Sequence, residues 1–99
     1  MLNITKNTNA SELTVSLTGR LDTTTAPELE KELTASLDGV TTLVIVMTAL
    51  DYISSAGLRV LLSAQKTMNK QGEMKVVHVG ETIMEIFEVT GFSDILIIE

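Results

Sequence analysis

The chain opens with two segments in which apolar and polar residues alternate. Leu2 and Ile4 are apolar and Asn3 and Thr5 are polar, and after the stretch 7–10 the alternation resumes over 13–18. A period of two residues predicts β-strands with one buried and one wet face, and the short connection predicts antiparallel pairing. The sequence therefore predicts an opening hairpin that ends at Gly19.

The next apolar positions recur about every four residues, which predicts a helix with one buried face. These positions are Ala26, Leu29, Leu33 and Leu37. Thr25 and Glu28 have the spacing of a capping box, and Pro27 falls in the first turn, where its missing N–H costs nothing. Asp38 and Gly39 predict the end of this helix.

Strands and helices alternate along the rest of the chain. The unbroken apolar run 43–47 predicts a central strand covered on both faces. Helices are predicted after 54–57 and over 82–90, and strands over 75–79 and 95–98. This order favours right-handed crossovers and largely parallel pairing. We therefore expect an α/β fold with one domain over residues 1–99, a mixed sheet of about five strands carrying three or four helices.

The composition excludes several classes of function. The 99 residues include 7 Lys+Arg, 13 Asp+Glu and no cysteine, with a net charge of −6. Nucleic-acid binding needs a basic face, and a disulfide or thiolate metal site needs cysteine. The longest apolar run, 43–47, falls far below the roughly 20 residues that span a bilayer, and no signal peptide is evident. We therefore expect a cytoplasmic protein without cofactor or metal, and without nucleic-acid or membrane partners.

Catalytic groups are scarce. The only histidine, His78, falls in the predicted strand 75–79, where the alternation favours a polar strand residue. A serine nucleophile needs a base, and no serine is adjacent to His78 in the sequence. Glu28, Glu30 and Glu32 fit a solvated helix face better than an acid–base pair. No glycine loop for phosphate and no zinc or EF-hand spacing occurs, so we do not expect an enzyme.

The most informative segment, 50–58, joins the predicted central strand to the second helix. Open α/β sheets usually place their sites in such loops. Ser54 and Ser55 are suited to cap the helix, and a phosphate there would be favoured by the free amides and the helix dipole. Gly57 costs ~1 kcal/mol in a first turn, which indicates close approach of another backbone or of a partner. The pattern leaves a plain cap and a regulatory phosphoserine both open.

Three stretches of the chain match a known pattern in sequence and in spacing. They are Ser54-Ser55-Ala56-Gly57-Leu58-Arg59-Val60-Leu61-Leu62, Gly19-Arg20-Leu21-Asp22 and Phe87-Glu88-Val89-Thr90-Gly91-Phe92. Together they resemble the STAS domain family, in the branch of anti-sigma factor antagonists. The first stretch is specific in its strand-to-helix context, the other two are weak alone, and the resemblance covers essentially the whole chain.

The resemblance implies a bacterial protein that regulates transcription by partner switching. Such a protein binds an anti-sigma factor, which is a serine/threonine kinase, and thereby frees the sigma factor. The kinase phosphorylates one serine, which releases the complex, and a metal-dependent serine phosphatase resets the cycle. The matching serine here is Ser55, two positions before the glycine of the motif. We expect the free protein to be a monomer with partner-binding residues around Ser55: Asp22, Tyr52, Ser54, Ala56, Gly57 and Arg59.

Two positions depart from the family pattern. Ser54 stands where many members have an acid, and Val46 stands where many have Asp or Asn in the strand. These departures favour an alternative, a non-phosphorylated STAS adaptor subunit of a transporter or signalling assembly. Ser54 also offers a second hydroxyl for modification. A third class, an enzyme for a small anionic substrate, needs a base or metal that the sequence does not provide.

Overall fold

A computed structural model describes residues 2–99, and its strands form a single mixed sheet. The elements are β1 (Leu2–Asn9), β2 (Glu12–Leu21), α1 (Ala26–Ser36), β3 (Thr42–Ile53), α2 (Ser55–Gln71), β4 (Glu73–Val77), α3 (Glu81–Thr90) and β5 (Ile97–Ile98). The strand order is β1-β2-β3-β4-β5, with β1 antiparallel to β2 and the other pairs parallel. The predicted α/β fold with a mixed sheet is confirmed. Met1, the first residue of the predicted domain, lies outside the described residues.

The core lies on one face of the sheet. The strand register places Leu13 beside Leu43, and Leu43 beside Met74, so that one row of side chains crosses three strands. These side chains are at most 2% exposed and share one core with the buried faces of the helices. Burying each of them stabilises the fold by roughly 1.5–3 kcal/mol. Successive parallel strands with right-handed crossovers place all the helices on this same face.

The expectation that β3 is covered on both faces is wrong. Leu43, Ile45 and Met47 are fully buried, whereas Val44 and Val46 are only half-buried on the opposite face. β3 is central because it lies third in a sheet of five strands. Its unbroken apolar run reflects the preference of β-branched residues for a pleated, half-buried surface, not a second layer of helices.

Some boundaries differ from those expected. β3 continues to Ile53 because it pairs with β2 along its whole length, so that only Ser54 separates it from α2. β4 ends at Val77, and His78 follows it with a left-handed φ of 57°. The expected place of His78 within the strand is therefore wrong. β5 begins only at Ile97, because Phe92–Asp94 form a short 3-10 helix.

The turn from α2 into β4 leaves no room for a side chain at Gly72. A Cβ here would overlap the carbonyl oxygen of Thr41, which accepts a 2.9 Å hydrogen bond from the Glu73 amide. We expect Gly72→Ala to lower the free energy of unfolding by about 2 kcal/mol, measured by urea denaturation. Gly80→Ala is the control, because a Cβ there meets no atom within 4 Å. Equal losses in the two variants would contradict the predicted overlap.

Candidate functional site

The carboxyl ends of β2 and β3 lie side by side and position both loops of the candidate site. Leu21 pairs with Ile53, and the amide of Ser54 donates a 2.9 Å hydrogen bond to the carbonyl oxygen of Leu21. Asp22 follows β2 and Ser54 follows β3, so the two residues share one edge of the sheet. Parallel pairing therefore brings together the two motifs that are separated by about thirty positions in the sequence.

Asp22 organises the turn between β2 and α1. Its Oδ1 accepts hydrogen bonds from the amides of Thr24 and Thr25 at 3.0 and 3.1 Å. Its carbonyl oxygen accepts a 2.8 Å hydrogen bond from the amide of Ala26. The backbone N–H of Thr25 is the main cause that lowers the pKa of Asp22 below its ordinary value. Asp22 is therefore a turn-capping carboxylate that carries its charge at neutral pH.

The capping box expected for Thr25 and Glu28 is not formed. Thr25 is the N-cap of α1, but its side chain makes no hydrogen bond to the helix. Its buried hydroxyl instead donates to the carbonyl oxygen of Arg20 and accepts from the amide of Asp22, both at 2.8 Å. The Thr25 hydroxyl thus connects the two sides of the turn, while the Asp22 carboxylate accepts the hydrogen bonds from the amides of Thr24 and Thr25.

The two serines at the start of α2 have different environments. Ser54 is the half-buried N-cap, and its Oγ accepts a 3.4 Å hydrogen bond from the amide of Gly57. Ser55 is the first helical residue and is exposed. Within residues 2–99, no hydrogen bond involves the Ser55 hydroxyl. The cap is therefore Ser54, and the hydroxyl of Ser55 is open to a partner.

Gly57 is buried against the ends of the two strands. A Cβ at this position would lie 2.7 Å from Cγ of Leu21 and 2.9 Å from Cγ1 of Ile53. The close approach expected at this glycine exists, but the neighbours are side chains of the same chain. Gly57 is the buried member of the expected partner-binding set, and its part in partner binding stays a prediction. Its role is to let α2 begin directly on the strand ends.

The other residues expected to bind a partner lie near Ser55 on the outside of the fold. Tyr52 and Arg59 are exposed, and Asp22 and Ala56 are half-buried. Ala56 and Arg59 also line a shallow groove between α1 and α2. We call the following set the serine surface: Arg20, Asp22, Tyr52, Ser54, Ser55, Ala56 and Arg59.

Arg20 belongs to this surface although it was not among the expected residues. A register shift after Gly19 places Arg20 beside Tyr52 in the parallel pair. The Arg20 guanidinium carbon lies 4.5 Å from the centroid of the Tyr52 ring, and its Nε lies 3.7 Å from Oδ2 of Asp22. Arg20 thus links Asp22, in the loop after β2, to Tyr52 near the carboxyl end of β3. The signal in the sequence was its place in the Gly19–Asp22 stretch, which is informative only once the strand register is known.

The serine surface combines a hydroxyl with cationic and aromatic side chains. It presents an exposed hydroxyl, two arginines and a stacked tyrosine, and no base is hydrogen-bonded to Ser55 in the described part of the chain. Among residues 2–99, no cluster of His, Cys, Asp and Glu side chains could hold a metal ion. No helix of the described chain is long and apolar enough to cross a membrane.

The elements and their order define a small α/β domain with one mixed sheet, and comparison with known proteins gives its family. The STAS domain profile matches residues 2–99, so the chain belongs to the STAS domain family. BtrV of Bordetella bronchiseptica, a candidate anti-sigma factor antagonist, is 41% identical over 81 residues, which are 80% of this chain and 70% of BtrV.

Solved structures show the same fold. An anti-sigma factor antagonist from Mycobacterium paratuberculosis matches with a TM-score of 0.89 and 25% identity, over 99% of this chain and 85% of that one. The Bacillus cell fate determinant SpoIIAA in its phosphorylated form matches with a TM-score of 0.77 and 15% identity, over 98% of this chain and 91% of SpoIIAA. The resemblance stated from the sequence is thereby confirmed.

We expect Gly57→Ala to lower the free energy of unfolding by about 1–2 kcal/mol, because Leu21 and Ile53 must move to admit the methyl group. A loss of stability would be informative, because helix propensity alone would make the alanine variant more stable by ~1 kcal/mol. Ser63→Ala, at an exposed position of the same helix, is the matched control and should change stability by less than about 0.5 kcal/mol. A Gly57→Ala variant as stable as the parent in urea would show that the packing is looser than described.

We expect Asp22→Asn to reduce stability at neutral pH and to reduce it less in acid. The folded pKa of Asp22 lies below its ordinary value of 3.8, so the carboxylate stabilises the fold fully above that value. This stabilisation is lost as the pH falls through the folded pKa. Urea midpoints of both proteins at about pH 6 and about pH 3 test this. The gap between the two proteins should narrow at the lower pH, and a constant gap would argue against a charged cap.

Proposed function

We propose that this chain is an anti-sigma factor antagonist that binds an anti-sigma factor kinase and is released when Ser55 is phosphorylated. The observation that carries the proposal is the difference in hydrogen bonding and exposure between Ser54 and Ser55. Ser54 Oγ caps the helix, whereas Ser55 is exposed and its hydroxyl has no hydrogen-bond partner among the residues that the structure describes. A kinase can therefore modify Ser55 without breaking the hydrogen bond that starts α2.

The proposed transfer uses ATP bound to the partner kinase. The Oγ of Ser55 attacks the γ-phosphorus, the new Oγ–P bond forms, and the bond from this phosphorus to the bridging oxygen breaks. ADP leaves, and the hydroxyl proton passes to a base of the kinase. The product carries about −2 additional charge on a chain whose net charge is already −6. A serine phosphatase then hydrolyses the phosphate ester and restores the hydroxyl.

The serine surface has the side chains that dominate protein interfaces. Tyrosine and arginine are enriched among the residues that carry most binding energy. Tyr52 and Arg20 already stack at 4.5 Å, which reduces the entropy that the partner must remove on binding. Ala56 is small and leaves room for close approach beside Ser55. A phosphate in this interface without a counter-ion costs several kcal/mol, and each 1.4 kcal/mol is tenfold in affinity.

The relatives support this proposal. BtrV and the mycobacterial protein are named as antagonists of anti-sigma factors, and SpoIIAA is known in a phosphorylated form. The capping role of Ser54 is compatible with the acid that many family members have at this position. Serine and aspartate are both strong N-caps, so the exchange keeps the hydrogen bond to Gly57 and removes only a charge. Val46 lies within β3 between Ser16 and Val77, on the face without helices.

Capture of the partner and phosphorylation by it test the proposal. Tagged chain should retain an ATPase of the histidine-kinase-like fold from a lysate of the source bacterium. Labelled ATP and this kinase should then label the parent and Ser54→Ala, but not Ser55→Ala. In a titration, Ser55→Asp should bind the kinase at least tenfold more weakly than Ser55→Ala. Equal affinity of these two variants would contradict release by charge.

The alternative adaptor function gives a different result in the same experiment. A STAS adaptor would hold its partner with the same surface, while neither Ser54 nor Ser55 would accept phosphate. Binding that persists unchanged after prolonged incubation with kinase and ATP, with no label on the chain, would therefore favour the adaptor over the switch.

A further inference from the structure

We propose that Arg59 is the counter-ion of the phosphate on Ser55, so that phosphorylation withdraws this arginine from the serine surface. The proposal rests on the proposed function, because it concerns the phosphorylated chain. Phosphorylation would therefore change the charge of the serine surface in two ways. The surface gains the phosphate and at the same time loses a cation that was free to meet a partner.

The geometry follows from the position of both residues on α2. Ser55 is the first residue of this helix, and Arg59 lies four residues later on the same face. Side chains four apart on a helix are neighbours, with about 5–6 Å between their Cβ atoms. Helical side chains lean toward the amino terminus, so the side chain of Arg59 is long enough to reach the turn that contains Ser55. The acid-before-base order along the helix is also the favourable one.

Arg59 is available for this pairing. It is exposed, and within residues 2–99 it takes part in no ion pair. Arg20, the other arginine of the chain, is already engaged with Tyr52 and Asp22. Lys66, the next cation along α2, lies two turns beyond Arg59. Arg59 is therefore the unengaged cation that can turn to a phosphate without breaking an existing contact.

Apart from the two arginines, the charged groups near the start of α2 are carboxylates, which would repel a phosphate. Asp51 lies near the end of β3, Asp22 lies in the turn before α1, and Glu30 of α1 lines the same groove as Arg59. These carboxylates oppose the attraction that the free amides of the helix start exert on a phosphate. Arginine pairs with phosphate through short, charge-assisted hydrogen bonds, and these offset the repulsion. Arg59 thus makes the phosphorylated chain a stable state with a rearranged surface.

The test measures the phosphate directly and needs no kinase. Phosphoserine is encoded at position 55 during translation, and its second ionisation is followed by phosphorus NMR as a function of pH. The comparison is between the parent, Arg59→Gln and Lys66→Gln. An adjacent guanidinium favours the dianion, so Arg59→Gln should lower the acid dissociation constant of the phosphate by about threefold. Lys66→Gln removes the same charge from the same helix about 16 Å away along its axis, and should leave the constant unchanged.

The outcomes separate this proposal from the function on which it rests. Identical titrations of the Arg59→Gln and Lys66→Gln proteins would overturn the counter-ion role, whatever the kinase does. Partial recovery in Arg59→Lys would support it, because a cation is restored without the planar donor pair. Absence of labelling by the kinase would instead refute the proposed switch, and would leave the measured pairing of Arg59 with an encoded phosphoserine intact.

Discussion

The whole site depends on the parallel pairing of β2 with β3. This pairing runs from Glu12 and Thr42 to Leu21 and Ile53, and it is continued by the hydrogen bond from the Ser54 amide to Leu21. It brings the turn after β2 and the start of α2 to one edge. Gly57 completes the arrangement, because the missing Cβ lets the helix rest on both strand ends. The two halves of the serine surface are therefore held together at one edge of the sheet.

The order and type of the elements could be predicted from the sequence because they follow from hydrophobic periodicity. The ends of elements depend on pairing, which periodicity does not contain. The polar residues Thr48 and Asp51 interrupt the apolar pattern of β3. The strand nevertheless continues to Ile53, because β2 supplies hydrogen-bonding partners. The half-buried Val44 and Val46 show the same limit, since a β-branched run favours a strand but does not reveal how many layers cover it.

Within the site, the sequence indicated the serines and Asp22 but not the distribution of their hydrogen bonds. Thr25 has the right spacing to cap α1, but its hydroxyl is recruited by the backbone of Arg20 and Asp22. Ser54 and Ser55 are the same residue type, so the sequence does not distinguish them. Their environments differ because the backbone turns from β3 into α2 at Ser54, which makes Ser54 the N-cap and leaves Ser55 exposed. Arg20 is the clearest omission. Its partner Tyr52 lies far away in the sequence, and a register shift decides that the two side chains stack.

The distribution of charge bears on the proposed switch, because the chain as a whole is acidic. Both arginines lie on the serine surface, whereas all five lysines lie elsewhere, in a chain of net charge −6. Carboxylates outnumber cations in the chain, so in the proposed complex any attraction of this surface for an acidic partner group would rest on Arg20 and Arg59. In the proposed switch, a phosphate at Ser55 would act on these two cations, whatever the net charge of the whole chain. Exposed charges more than about 10 Å apart are largely screened at physiological salt. The position of one added phosphate therefore matters more than its contribution to the net charge.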